Sequence, residues 1–281
     1  MLNVQTVTIT PEYAQVLLGH NTANRNVRQP VIDRYARDMA AGNWLLNGST
    51  IVMNCDGTLL DGQHRLLACI KAGAPFTTLL VEGVEQAAMA SIDANASRKY
   101  SDVLRIRGER HAVGLAALIR LCIVWSGGKT NRSHLAPTNA ECDAFLERHP
   151  EAREAARIAK RAKSGGARVP ESSIGAFALN AIRASGDVEA VENFCDAIRL
   201  GTSDKSSPTY RLWQTFIKWS AQSNVTRQSV VYLAVIVKCW NDCVLGNERK
   251  VYAWRRSGST PEDFPVMLND DGDPLTLAVA A

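Results

Sequence analysis

Five consecutive residues, Asp61-Gly62-Gln63-His64-Arg65, are of types that together handle phosphate. Gly62 lets a backbone approach a ligand closely, and Arg65 offers a planar fork for phosphate oxygens. His64 can donate a proton or a hydrogen bond, and Asp61 can hold a metal or polarise a water. The pentapeptide lies between a β-rich run and sequence of helical period, where unpaired N–H groups and the positive end of a helix dipole gather. The chemistry this predicts is recognition of a nucleotide phosphate. The same residues also satisfy a plainer reading, in which Asp61 caps the helix and Arg65 pairs with it.

Positioning such a loop requires a strand before it and a helix after it. Ser49–Met53 and Thr58–Leu60 flank Asn54-Cys55-Asp56-Gly57, and Asp-Gly tolerates the positive φ of a tight hairpin turn. From His64 to Ala72, Leu66, Leu67, Cys69 and Ile70 recur at helical spacing until Gly73, and Phe76–Val81 has strand content. Upstream, Val7–Thr10 reads as a strand, Pro11 as a first helical residue, and Pro30–Ala41 as a second helix stopped by Gly42. Beyond Tyr100 the period is helical, with segments near 110–125, 138–164, 170–184, 187–200, 208–222 and 226–245. The expected architecture is α+β: a mixed domain over 1–105 and an α-helical domain over 106–281.

The chain has 281 residues, 46% of them apolar and 21% charged, a composition that folds rather than one that stays disordered. Its longest apolar stretch near the C-terminal third, Ser229 to Val237, is short of the roughly 20 residues that span a bilayer. The opening Met1-Leu2-Asn3-Val4-Gln5 has no basic region followed by an apolar core, so a cytoplasmic setting without a membrane partner is expected. Seven dispersed cysteines suit isolated buried thiols in a reducing compartment. Cys239 and Cys243, four apart, place two soft ligands on one helix face, but no His or third Cys lies near them in sequence.

Charge is unevenly placed. Residues 1–97 hold 6 basic against 8 acidic side chains, while 98–281 hold 26 against 20. The run Arg148, Arg153, Arg157, Lys160, Arg161, Lys163 and Arg168 encloses only Glu151 and Glu154, so pairing along the helix is partial and a positive stripe is expected. Such a stripe neutralises a nucleic-acid backbone, or is a solvated helix face. Asn24, Arg25 and Arg28 precede the second helix and suit phosphate or DNA contact, or structural pairs with Asp33 or Asp38.

Asp61-Gly62-Gln63-His64-Arg65-Leu66-Leu67-Ala68, after a strand and opening a helix, resembles the signature of the ParB/sulfiredoxin superfamily. In chromosome-partition ParB proteins a Gly-Glu-Arg-Arg loop cradles the triphosphate of CTP, and Gly62-Gln63-His64-Arg65 is similar to it in its Gly and its Arg. Their Glu-Asn-x-x-Arg element resembles Ala94-Asn95-Ala96-Ser97-Arg98, with Ala94 in place of the acid and Asp93 one residue earlier. Sulfiredoxin carries Gly-Cys-His-Arg here; Gln63 stands at its reactive cysteine, so sulfinate repair is not expected. Stand-alone ParB-like proteins of phages and mobile elements, often labelled nucleases, are the nearest likeness. They share an early Asn-Arg element, here Asn24-Arg25, the pattern Ile92-Asp93, Arg98, Asp102-Val103-Leu104, and a C-terminal stretch like Trp240-Asn241, Gly246 and Phe264-Pro265.

The resemblance implies a ParB/sulfiredoxin-like N-terminal fold and a nucleotide-binding, DNA-associated protein. Gly62, Gln63, His64, Arg65, Asn95 and Arg98 would hold an NTP, and Asp61 or Asp93 a Mg²⁺ ion. Phosphoryl cleavage or transfer would use Asp61, His64 and Arg65, and DNA would meet Asn24, Arg25, Arg28, Arg157, Lys160, Arg161 and Lys163. Two other functions fit the same residues. One is a non-catalytic DNA-binding adaptor; the other is a metal-dependent nuclease gathering Asp61, Asp93 or Asp102 around two metals.

Overall fold

The computed structural model describes residues 2–22, 26–85, 99–126, 136–162, 167–222, 228–255 and 260–275. The chain divides into two units, Met1–Ser97 with Asn131–Ala140, and Arg98–Thr130 with Glu141–Ala281. The first is α+β and the second is helical.

In the first unit the strands are β1 (Asn3–Ile9), β2 (Thr50–Asn54), β3 (Leu59–Asp61) and β4 (Phe76–Val84), in the order β1-β4-β2-β3. β4 runs antiparallel to β1, with Val4 opposite Val81, and parallel to β2, with Ile51 opposite Leu80. β2 and β3 form the hairpin expected from Asp56-Gly57. Its turn is held by Asn54, whose buried Oδ1 accepts the N–H groups of Asp56 at 2.9 Å and Thr58 at 2.7 Å, with Gly57 at φ 81°.

Three helices pack with this sheet: α1 (Pro11–Gly19), α2 (Gln29–Ala40) and α3 (Gln63–Ala72). Thr10 caps α1 by accepting from the Tyr13 N–H at 3.2 Å, and Gly73 closes α3 in the left-handed region. Ile32, Ala36 and Met39 of α2 meet Leu66 and Cys69 of α3, and Ile9, Ile51, Phe76 and Leu80 of the sheet complete the core. The parallel β2–β4 pair needs a crossover, and β3 with α3 provides it. That crossover sets Asp61-Gly62-Gln63 at a strand end and a helix start together.

The second unit holds α4 (Tyr100–Ile106), α5 (Ala112–Ser126), α6 (Asn139–Arg148), α7 (Ala152–Ala162), α8 (Glu171–Ser185), α9 (Val188–Leu200), α10 (Pro208–Ala221) and α11 (Ser229–Leu245). Every residue of α8 from Ser173 to Ile182 is buried, so this helix is the centre around which α5, α7, α9 and α11 pack. Gly175 lets α8 and α5 approach closely: a Cβ there would stand 2.7 Å from Leu118 Cδ2. Trp240 is buried against Phe177 and Phe194, and Trp213 and Trp219 pack on the same core, the ordinary place for aromatic residues at helical spacing.

One helix expected over 138–164 is two. Pro150 has no N–H to donate and pushes His149 away from helical ψ, so α6 ends at Arg148 and α7 restarts at Ala152. Among the described residues no helix is long and apolar enough to cross a membrane.

Candidate functional site

Gly62 is the N-cap of α3, at φ 110° and ψ −3°, with no side chain to cap the first turn. Two constraints require glycine. The backbone is left-handed, and a Cβ would stand 2.4 Å from Cδ1 of Ile51, a fully buried residue of β2. The first turn of α3 is therefore pressed onto the sheet, with its N–H groups at an end that carries no protein side-chain acceptor from Gly62.

Arg65 faces back toward the sheet. Its Nη2 donates to the Thr50 carbonyl at 2.6 Å and to Asp61 Oδ2 at 2.6 Å, an ion pair whose side chains are 13% and 17% exposed. Arg65 thus ties the helix start to both strands of the hairpin. Its Nε, a donor, and the Gln63 Oε1, an acceptor, are buried in the same loop without a hydrogen-bond partner.

His64 is buried, and its Nε2 accepts the backbone N–H of Arg28 at 3.0 Å. Nε2 is thus engaged by the protein's own backbone. Arg28 is the N-cap of α2, again without a side-chain cap. The bond therefore brings the N-terminal ends of two helices, α2 and α3, to one place. Arg28 keeps an exposed guanidinium with no ion pair among the described residues, because Asp33 takes Lys71 at 2.6 Å and Gln29 at 2.7 Å instead.

Asn24 and Arg25 lie outside the described residues, as do Asp93, Asn95, Arg98 and Lys163. Asp102 caps α4, its carboxylate accepting the Lys99 N–H at 3.0 Å and pairing with Arg105 at 3.1 Å. Among the described residues no three His, Cys, Asp or Glu side chains gather where they could hold a metal, and Asp61 is neutralised by Arg65. Of the two carboxylates expected at magnesium, Asp61 is paired with Arg65 and Asp93 lies outside the described residues.

The basic stripe is interlaced with acid. Arg153 grips Glu109 through two nitrogens, Arg157 pairs with Glu154 and Glu192 at 2.8 Å each, and Lys160 stands 3.7 Å from Glu171. Arg161 pairs with Glu192 and with Asp196 at 3.1 Å. The stripe expected to remain positive is largely paired, because beside Glu154 of α7 itself carboxylates reach it from α8, α9 and the segment after α4. Arg157 holds Glu192 below the usual carboxylate range.

Sequence reasoning did not identify three parts of the site: the Thr50 carbonyl, Ile51 beneath Gly62, and the Arg28 N–H. A buried strand residue two positions after Ser49 carries no chemical signature, and a backbone N–H carries none at all. Comparison with protein-family models, with curated proteins and with solved structures finds no match to this chain.

Proposed function

We propose that the chain is a nucleotide-binding, DNA-associated protein of ParB/sulfiredoxin-like kind, in which the Asp61–Arg65 loop receives the phosphates. One observation carries this reading: the starts of α2 and α3 converge through the His64–Arg28 bond, and neither has a side-chain cap. Each helix start carries about half a positive charge, so two together favour an anion more than one does, although α2 adds few donors because Pro30 has no N–H and the Val31 N–H bonds to the Arg28 carbonyl. The unpartnered Arg65 Nε–H is a donor in the same loop, and Arg28 brings an exposed guanidinium to the start of α2.

Binding is better supported than cleavage. His64 Nε2 is occupied by an N–H and Asp61 is ion-paired with Arg65, which lowers the basicity of its carboxylate toward a nucleophile. Association with DNA rests on the excess of basic residues over 98–281 and on Arg28.

The test is a thermal-shift panel of ATP, CTP, GTP and UTP, each with and without Mg²⁺. It is run on wild type, Arg28→Ala and Gln63→Ala, two changes that leave the Arg65 tie intact. A ligand at about 100 times its Kd adds about 2.7 kcal/mol to folded-state stability, which raises Tm measurably. A shift for one nucleotide that weakens in both variants supports the site. No shift for any nucleotide refutes it.

A further inference from the structure

The sheet of the first unit has two edges, and they are built differently. β3 closes one edge with three residues, of which Leu59 and Leu60 are buried, so little backbone is offered there. β1 forms the other edge with seven residues, all paired on their inner side with β4 from Asn3–Glu82 to Ile9–Phe76. Among the described residues no strand pairs with its outer side, which leaves a row of N–H and C=O groups without a ladder. Leu2 to Thr6 are all exposed, whereas Val7 is half-buried and Ile9 is buried, so the open part of this edge is centred on Val4.

Sheet edges are ordinarily guarded by charge, proline, a bulge or brevity. β1 has none of these. Leu2 to Thr10 contains no charged residue and no proline, and the ladder with β4 shows no register shift, whereas both ladders of β2 do. Leu2 and Val4, 61% and 54% exposed, alternate onto the same face as Thr6, away from Ile9 and the helices it packs with.

We propose that β1 pairs antiparallel with β1 of a second copy of this chain, about a two-fold axis at Val4, joining two four-stranded sheets into one of eight strands. Such pairing sets the strand against its own sequence reversed. Val4 stands opposite the partner's Val4, Asn3 opposite the partner's Gln5, and Leu2 opposite the partner's Thr6. Apolar meets apolar and amide meets amide across the axis. Charge selects the occupant: a charged residue near the axis would meet its like, and this segment carries none, so the neutral strand fits a neutral copy of itself. An axis perpendicular to the sheet keeps the helix-covered faces of both copies on one side. Each Asp61–Arg65 loop, which follows β3, then lies at an outermost strand, so the pairing does not depend on the phosphate reading.

The experiment is sedimentation velocity of the full chain over a concentration series, with circular dichroism of every variant. Wild type is expected to move from monomer to dimer as concentration rises. Val4→Lys and Val4→Glu change an exposed side chain and leave the β4 ladder in place, and each is expected to sediment as monomer where wild type is dimeric, because like charges face each other at the axis. An equimolar mixture of the two is expected to recover the dimer, since opposite charges then meet; this arm separates lost pairing from lost folding. A wild type that stays monomeric at its highest soluble concentration overturns the proposal. So does a dimer that survives both variants, or natively folded variants whose mixture stays monomeric.

Discussion

Replacing Gly62 by alanine isolates what the loop asks of its first residue. At φ 110° and ψ −3° a side chain costs about 1–3 kcal/mol in backbone conformation. The new Cβ also falls 2.4 Å from Ile51 Cδ1, and Ile51 is 0% exposed, so the methyl must be displaced within a packed core at a further ~1–3 kcal/mol. The expected loss for Gly62→Ala is about 2–6 kcal/mol. The two halves separate in a double-mutant cycle. Ile51→Val deletes Cδ1 and itself costs about 0.5–1.5 kcal/mol, but in its background Gly62→Ala should retain only the conformational half. Because the two units need not unfold together, the readout is hydrogen exchange of the β2 and α3 peptides, which reports opening of the first unit alone. Equal costs in the two backgrounds would refute the steric half, and a loss below about 1 kcal/mol in wild type would refute both.

Glu192→Gln removes the charge that Arg157 and Arg161 share, and a loss of about 1 kcal/mol is expected in denaturant unfolding of the second unit. The Glu192 carboxyl is depressed in the folded state, so its contribution is present above the unfolded value of about 4.5 and is lost as pH falls through the lower folded value; the gap between wild type and Glu192→Gln should narrow below about pH 4. Asp242→Asn leaves a neutral amide facing Arg249 and Tyr252 at a site 2% exposed, with an expected loss of about 1–3 kcal/mol in Tm-derived stability and non-additivity with Tyr252→Phe. Asn54→Ala strips two acceptor bonds from the hairpin turn and should speed exchange of the Asp56 and Thr58 amides selectively.

The parts of the fold that were legible in the sequence are those where one residue type is required locally. Asp56-Gly57, Gly62 and Gly73 mark a turn, a helix start and a helix stop because each glycine takes positive φ, and the hairpin, α3 and β4 follow between them. Pro150 was equally informative, yet the apolar period runs through it from Phe145 to Ala156, and the period alone hides the break. Partners distant in sequence were not legible. Within α7 only Glu154 is near enough to be counted, whereas Glu192 reaches Arg157 from 35 residues away and Glu109 reaches Arg153 from 44. His64 read as a group offered to a ligand; its Nε2 instead meets a backbone N–H 36 residues earlier, a contact that no spacing of side chains encodes. The plainer reading of Asp61 and Arg65 as an internal pair describes their bond correctly, and it leaves the two uncapped helix starts unaccounted for.

The place of β1 at the sheet edge sets the order in which the first unit can assemble. Among the described residues its strand partner is β4 alone, and Asn3 meets Glu82 across 79 residues of chain. On a ribosome adding about 5–20 residues each second, the first strand waits several seconds before the surface it belongs to exists. Through that interval the β2–β3 hairpin and α3 can form, but β1, with Val4 and Val7 in a β-prone run, has nothing of its own to zip onto. Until β4 has been made, β1 therefore stays an unpaired strand edge, and most of its side chains remain exposed even in the folded sheet.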